Sequence, residues 1–188
     1  NLQLITGSIV DLVSNSEFSD DKHIPIYPDE ALIQLRVGSL ISLDFDTALL
    51  QVIETNVNIR ARVISGGFVG SNKAVSTINY ASTLPSLTEI DKTAFNLCKK
   101  LGIKNVALSF ANRGEDIDEL RVIVGKNVRI IAKIESRLAL ENLDEILEVS
   151  DAILIDRGDL SREIAPESLP YIQKEIIHRA NNCNVPVF

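Results

Sequence analysis

Near Leu84 the spacing of the apolar residues changes, and that change limits what the chain can fold into. From about Leu4 to Thr83 the apolar signal has period two. Ile33, Leu35 and Val37 alternate with Gln34 and Arg36, and Val57, Ile59, Ala61 and Val63 alternate with Asn58, Arg60 and Arg62. Successive side chains of a strand point to opposite faces, so this alternation predicts half-buried antiparallel β-structure. Breaks fall at Gly38, at Gly66-Gly67 and at Gly70, and the polar run from Ser14 to Lys22 reads as a loop. A small β-barrel or sandwich is the expected product.

Beyond Leu84 strands alternate with helices. Thr88 can N-cap a helix, with Asp91 three residues on completing a weak capping box. Ile90, Ala94, Leu97, Cys98 and Leu101 form its apolar stripe, and Gly102 stops it. A strand over 106–110 follows, then a helix through Ile117, Leu120 and Val124 that stops at Gly125. Next come a strand over 128–134, a helix marked by Ala139, Leu143, Ile146 and Leu147, and a strand over 152–156. The last helix carries Leu169, Ile172, Ile176, Ile177 and Ala180, and 185–188 opens one more strand. Short strands separated by helices are βαβ units and imply a parallel sheet. Four strands cannot close an eight-stranded barrel, so the pattern fits a small open sheet or half of a (β/α) barrel.

At 188 residues, 45% of them hydrophobic, the chain can build a core without disulfides. A net charge of −7 argues against a nucleic-acid footprint and against an anionic membrane surface. Cys98 and Cys183 form no CxxC or Cys/His cluster, and Cys98 reads as a buried thiol. His23 and His178 are isolated, which makes a histidine-based triad improbable. No apolar run approaches the length of a membrane span and no signal peptide is visible, so a reduced, cytoplasmic protein is expected. The chain contains no methionine, starts Asn-Leu-Gln-Leu and ends Pro-Val-Phe as a strand opens. It reads as an internal piece of a longer protein.

The chemistry-bearing residues lie at strand ends. In the strand over 128–135, Ile131, Lys133 and Glu135 share one face. If that face points into a barrel, a lysine and a carboxylate reach its C-terminal mouth, where barrel enzymes place catalytic groups. A surface Lys–Glu pair is the bland alternative, disfavoured because charges on an otherwise apolar strand are costly unless used. Asp159 falls at the end of the next strand, where a helix-capping Asp is the bland alternative, and Gly158 beside it lets the backbone approach a ligand. The N–H groups of Gly158 and Asp159 can begin a short helical turn suited to a carboxylate or phosphate. Glu135 and Asp159 together make a hard-oxygen site of the kind Mg²⁺ uses, and Lys133 adds a positive charge for an anionic substrate.

Ala-Lys-Ile-Glu-Ser (132–136), Asn-Leu-Asp-Glu-Ile-Leu (142–147) and Arg-Gly-Asp-Leu (157–160) with Glu163-Ile164 resemble the signature of the pyruvate kinase family. Leu-Pro-Ser-Leu-Thr-Glu-Ile-Asp (84–91), Ser109-Phe110 and Gly-Gly-Phe-Val-Gly-Ser-Asn-Lys (66–73) are similar to further stretches of it, in order and at compatible spacing. The resemblance implies an α/β fold, a partial (β/α)8 TIM-type barrel over 84–188 with an inserted small β-barrel cap domain over 1–83. It implies transfer of a phosphoryl group from phosphoenolpyruvate to ADP, giving pyruvate and ATP in glycolysis. In that reading Lys133 is catalytic and, with Gly158 and Asp159, binds substrate. Glu135 and Asp159 hold Mg²⁺ or Mn²⁺, and Lys73 reaches nucleotide phosphates when the cap closes. K⁺ is a further cofactor of the family whose ligands lie outside this chain, as do other active-site residues, so the chain alone should not catalyse. The full-length protein is expected to be a homo-oligomer.

Several positions depart from the family pattern. Asp156 stands where a small residue is usual, and Ser161-Arg162 replaces Gly-Val or Gly-Ile. These departures keep open a catalytically degenerate, pyruvate kinase-like regulatory protein. A metal-dependent 2-keto-acid aldolase also fits Asp159-Leu160-Ser161, although Lys133 and the β-rich residues 4–83 argue against it.

Overall fold

The computed structural model describes residues 2–14, 20, 22–44, 46–78 and 84–188, which divide into two units, Asn1–Leu84 and Pro85–Phe188. The first contains β1 (Leu2–Leu4), β2 (Ile9–Ser14), β3 (His23–Ile26), α1 (Asp29–Ile33), β4 (Leu40–Leu43), β5 (Ala48–Glu54), β6 (Ile59–Ser65), β7 (Gly67–Val69) and β8 (Val75–Thr77). Six strands pair in the order β3-β2-β6-β5-β4-β8, and β1 pairs with β7. Alternation builds the core as expected: β5 buries Ala48, Leu50 and Val52, and β6 buries Ala61 and Val63. At Gly67 a Cβ would meet the Thr47 carbonyl oxygen at 2.2 Å, so the backbones at this crossing tolerate no side chain.

Three expectations for this unit change. Ile33, Leu35 and Val37 are not a strand: Ile33 ends α1 and is 83% exposed, while Leu32 and Leu35 are buried. Their spacing of three is helical, and Asp29 and Glu30 in the first turn favour the helix through its dipole. Val57 lies in the turn before β6 and is 93% exposed. The sheet is not purely antiparallel, because β2 and β3 run parallel. Of the predicted loop Ser14 to Lys22, Ser14 closes β2 and the Asp20 carboxylate accepts from the Lys22 and His23 N–H groups at 2.8 Å. Residues 15–19 and 21, like 79–83, lie outside the described residues.

The second unit contains α2 (Glu89–Lys100), β9 (Asn105–Leu108), α3 (Gly114–Val124), β10 (Arg129–Ile134), α4 (Arg137–Glu141), α5 (Leu143–Val149), β11 (Ala152–Ile155), α6 (Arg157–Leu160) and, after a 3-10 turn, α7 (Leu169–Asn182). The parallel sheet has the order β11-β10-β9. Val187 adds a parallel bridge to Ile153, as the expected closing strand requires. Ile130, Ala132 and Ile134 of β10 are fully buried and share one core with Ile117 and Leu120 of α3 and Leu143 and Ile146 of α5. That covers one face of β10. Ile131 and Lys133 lie on the other, partly exposed face.

The capping box of α2 is complete: the Thr88 hydroxyl accepts from Asp91 N at 3.2 Å and the Asp91 carboxylate accepts from Thr88 N at 2.9 Å. Only Cys98 of its expected stripe packs inward: Ile90, Ala94, Leu97 and Leu101 are exposed, and the half-buried Cys98 meets the core together with Phe95, which the stripe did not include. The side toward α3 is fixed by Lys92, which pairs with Glu119 at 3.2 Å, and by Lys99, which donates to the Ile123 carbonyl at 2.9 Å. Among the described residues no helix is long and apolar enough to cross a membrane.

Asp151 ties the far end of the sheet together. Its carboxylate accepts from Ile130 N at 2.7 Å and from Arg121 Nη2 at 2.6 Å. Burial pushes this carboxyl up, but the Ile130 N–H and the Arg121 guanidinium outweigh burial and hold it below the ordinary value. A depressed folded value stabilises the protein above the unfolded carboxyl pKa of about 4, and the stabilisation fades as pH falls through the folded value. Asp151→Asn should therefore cost about 1 kcal/mol at neutral pH, a figure discounted for the exposure of the carboxylate. Urea unfolding should show the gap between wild type and variant closing below about pH 4.

Candidate active site

The end of β10 is built by register. Parallel pairing sets Ala132 opposite Leu108 and Lys133 opposite Leu154, so the residues leaving β9, β10 and β11 converge at one edge. Glu135 follows β10 directly and is 2% exposed. Its Oε2 accepts from the Phe110 N–H at 2.5 Å, and its Oε1 receives the Lys133 ammonium. Phe110 takes a left-handed φ of 51°, which a non-glycine residue adopts at a cost. That turn aims its N–H at the carboxylate.

Lys133 is held on three sides. Nζ contacts Glu135, lies 3.2 Å from Asp156 Oδ2 and donates to the Ser109 hydroxyl at 3.3 Å. Burial works against its charge, but the bonds to Glu135 and Asp156 outweigh it and raise its pKa above the ordinary lysine value. The ammonium is therefore charged at neutral pH. Burial pushes the Glu135 carboxyl up, and Lys133 and the Phe110 N–H offset only part of that rise. Asp156 is also pushed up by burial, yet Lys133 and the Asp159 N–H pull it below the ordinary value.

Asp159 sits on α6, the one-turn helix after β11. Asp156 caps that turn, its Oδ1 accepting from Asp159 N at 3.4 Å. Asp159 Oδ1 in turn pairs with Arg162 Nη2 at 3.0 Å. At Gly158 a Cβ would stand 3.3 Å from Asp156 Oδ1, so the missing side chain keeps the cap uncrowded. Two further ties hold the strand-end loops. Ser136 caps α4 by accepting from Ala139 N at 3.0 Å and donates to Asn112 Oδ1. Glu163 accepts from Arg137 N at 2.7 Å, which gives this signature residue an architectural role.

One oxygen each from Glu135, Asp156 and Asp159 lie within 4.8 Å of one another. A set of hard oxygens this close, beside a lysine, fits a divalent cation. The structure thus brings Lys133, Glu135, Gly158 and Asp159 to one edge. Lys73 belongs to the first unit, where its Nζ pairs with Asp44 Oδ2 at 3.3 Å. Sequence reasoning did not assign the Ser109 hydroxyl or the Phe110 N–H a place in the site. Their position at the end of β9, one and two residues past Leu108, the partner of Ala132, is the signal that finds them once the sheet order is known.

Known proteins bear on this arrangement. The family model described as "Pyruvate kinase, barrel domain" matches residues 2–188. The chain is 33% identical to "Pyruvate kinase" of Sporosarcina psychrophila over 99% of its own length and 33% of that protein. It is 34% identical to "Pyruvate kinase" of Clostridium acetobutylicum over 99% of its length and 41% of the relative. "Pyruvate kinase 2" of Synechocystis is 35% identical over 80% of the chain and 26% of the relative. The chain spans about a third of the length of the first of these relatives. With the family model matched from residue 2 to residue 188, and Lys133, Glu135 and Asp159 gathered at one sheet edge, the chain belongs to the pyruvate kinase family.

Proposed function

We propose that the complete protein transfers the phosphoryl group of phosphoenolpyruvate to ADP, forming pyruvate and ATP as in glycolysis, in the reducing cytoplasm where Cys98 and Cys183 stay free. The second unit is read as part of a (β/α)8 barrel and the first as its inserted β-barrel cap, with a homo-oligomer as the working form. The observation that carries the reading is Lys133, fixed between Glu135 and Asp156 beside Asp159.

Lys133 places a permanent positive charge where the transferring phosphoryl oxygens gain negative charge. Glu135 and Asp159 hold Mg²⁺ or Mn²⁺, and a cation bound there offsets charge on the reacting oxygens. The N–H groups of Gly158 and Asp159 receive the substrate carboxylate, which takes over the Asp159 N–H from Asp156 Oδ1, now 3.4 Å away. Lys73 contacts the nucleotide phosphates.

The test is pyruvate formation from phosphoenolpyruvate and ADP, followed by coupling to NADH oxidation, with the complete protein and saturating Mg²⁺. Turnover supports the reading. One observation favours a second reading, a binding protein that has lost catalysis: Asp156 and Arg162 already pair with Lys133 and Asp159. Binding of phosphoenolpyruvate without turnover by the intact, metal-loaded protein would select it.

A further inference from the structure

We infer that Asp156 and Arg162 are an opposed pair of charges that sets the divalent-cation affinity of Glu135 and Asp159. The inference rests on reading those two carboxylates as the metal pair. Asp156 brings a third carboxylate oxygen within 4.8 Å of the other two. Arg162 brings a guanidinium to 3.0 Å from Asp159 Oδ1. Both residues depart from the pattern this chain otherwise resembles, and their charges are opposite.

The electrostatic balance follows from the contacts. Glu135, Asp156 and Asp159 against Lys133 and Arg162 leave a single negative charge. Glu135 and Asp159 against Lys133 alone would leave the same. Each departure on its own would shift the site by a full charge, and together they restore it. The two act by different routes. Asp156 raises cation affinity by adding ligand charge, although it also holds Lys133 at 3.2 Å. Arg162 lowers affinity, because it occupies an oxygen of Asp159 that a cation must share or take over.

The pair also shapes the geometry. Asp156 caps the turn that carries Asp159, and Arg162 holds the Asp159 side chain from the other end of that turn. A substitution that only loosened the turn would weaken metal binding at either position. Opposite shifts are the signature of the charge pair.

The experiment is Mn²⁺ titration of the complete protein, reading free Mn²⁺ by electron paramagnetic resonance, without substrate. Asp156→Asn keeps the capping oxygen and removes the charge, and it should weaken Mn²⁺ binding about tenfold. Arg162→Gln should tighten it about tenfold by the same reasoning. The double variant should return to within about threefold of wild type, since independent opposed effects cancel. Two weakened single variants, two unchanged ones, or a double variant that does not recover would overturn the inference while leaving the metal pair intact. A wild-type protein that binds no Mn²⁺ would overturn the metal pair itself and the inference with it.

Discussion

Lys133→Met is expected to reduce pyruvate formation by about 10³-fold or more, the scale for removing a cation that stabilises charge developing in a transferring phosphoryl group. Methionine keeps the length and apolar stem of lysine and removes the charge. The loss should appear in kcat, because the interaction strengthens as charge builds. Mn²⁺ affinity gives an internal control. Lys133 contacts Glu135 and lies 3.2 Å from Asp156, so its charge opposes a cation bound among those carboxylates. Affinity in the variant should hold or rise while turnover disappears. A variant that turns over at the wild-type rate would remove Lys133 from the chemistry. A variant that loses turnover and metal together would show that the lysine serves as a strut for buried Glu135.

The second large effect belongs to the paired change Glu135→Gln, Asp159→Asn. Both are near-isosteric, and glutamine still offers an oxygen to the Phe110 N–H that now donates to Glu135 at 2.5 Å. The fold around β10 should therefore survive, because its core is carried by Ile130, Ala132 and Ile134 on the opposite face. What disappears is ligand charge. With only Asp156 left of the three clustered carboxylates, divalent-cation affinity should fall by at least about 10²-fold. Turnover should vanish with it.

Much of this was legible in the chain. Period-two spacing over Ile59, Ala61 and Val63 located β6, and Ile117, Leu120 and Val124 marked a helix in which all three are buried. Lys133 and Glu135 were legible as neighbours of a strand end. Asp159 was legible at the end of the next strand, since Arg-Gly-Asp-Leu after an apolar run forms a turn. The rest depends on facts that spacing does not carry. Ile33 and Val37 alternate as a strand would, yet the buried residues are Leu32 and Leu35, and only packing chooses between the two patterns. The stripe of α2 has the right helical period, but Lys92 and Lys99 reach α3 and turn the side of Phe95 inward, so that Cys98 alone of the stripe meets the core. The left-handed turn at Phe110 has no mark in the sequence, because nothing about a phenylalanine announces a positive φ. Arg162 was visible as a departure, but that it closes on Asp159 follows only from the turn of α6.

The claim that Glu135 and Asp159 form a divalent-cation site is tested most directly by Mn²⁺ titration of the complete wild-type protein beside the Glu135→Gln, Asp159→Asn variant. Far-ultraviolet circular dichroism would establish that both are folded. The expected result is a site in the wild type that is lost in the variant. Equal Mn²⁺ affinity in the two proteins would contradict the account.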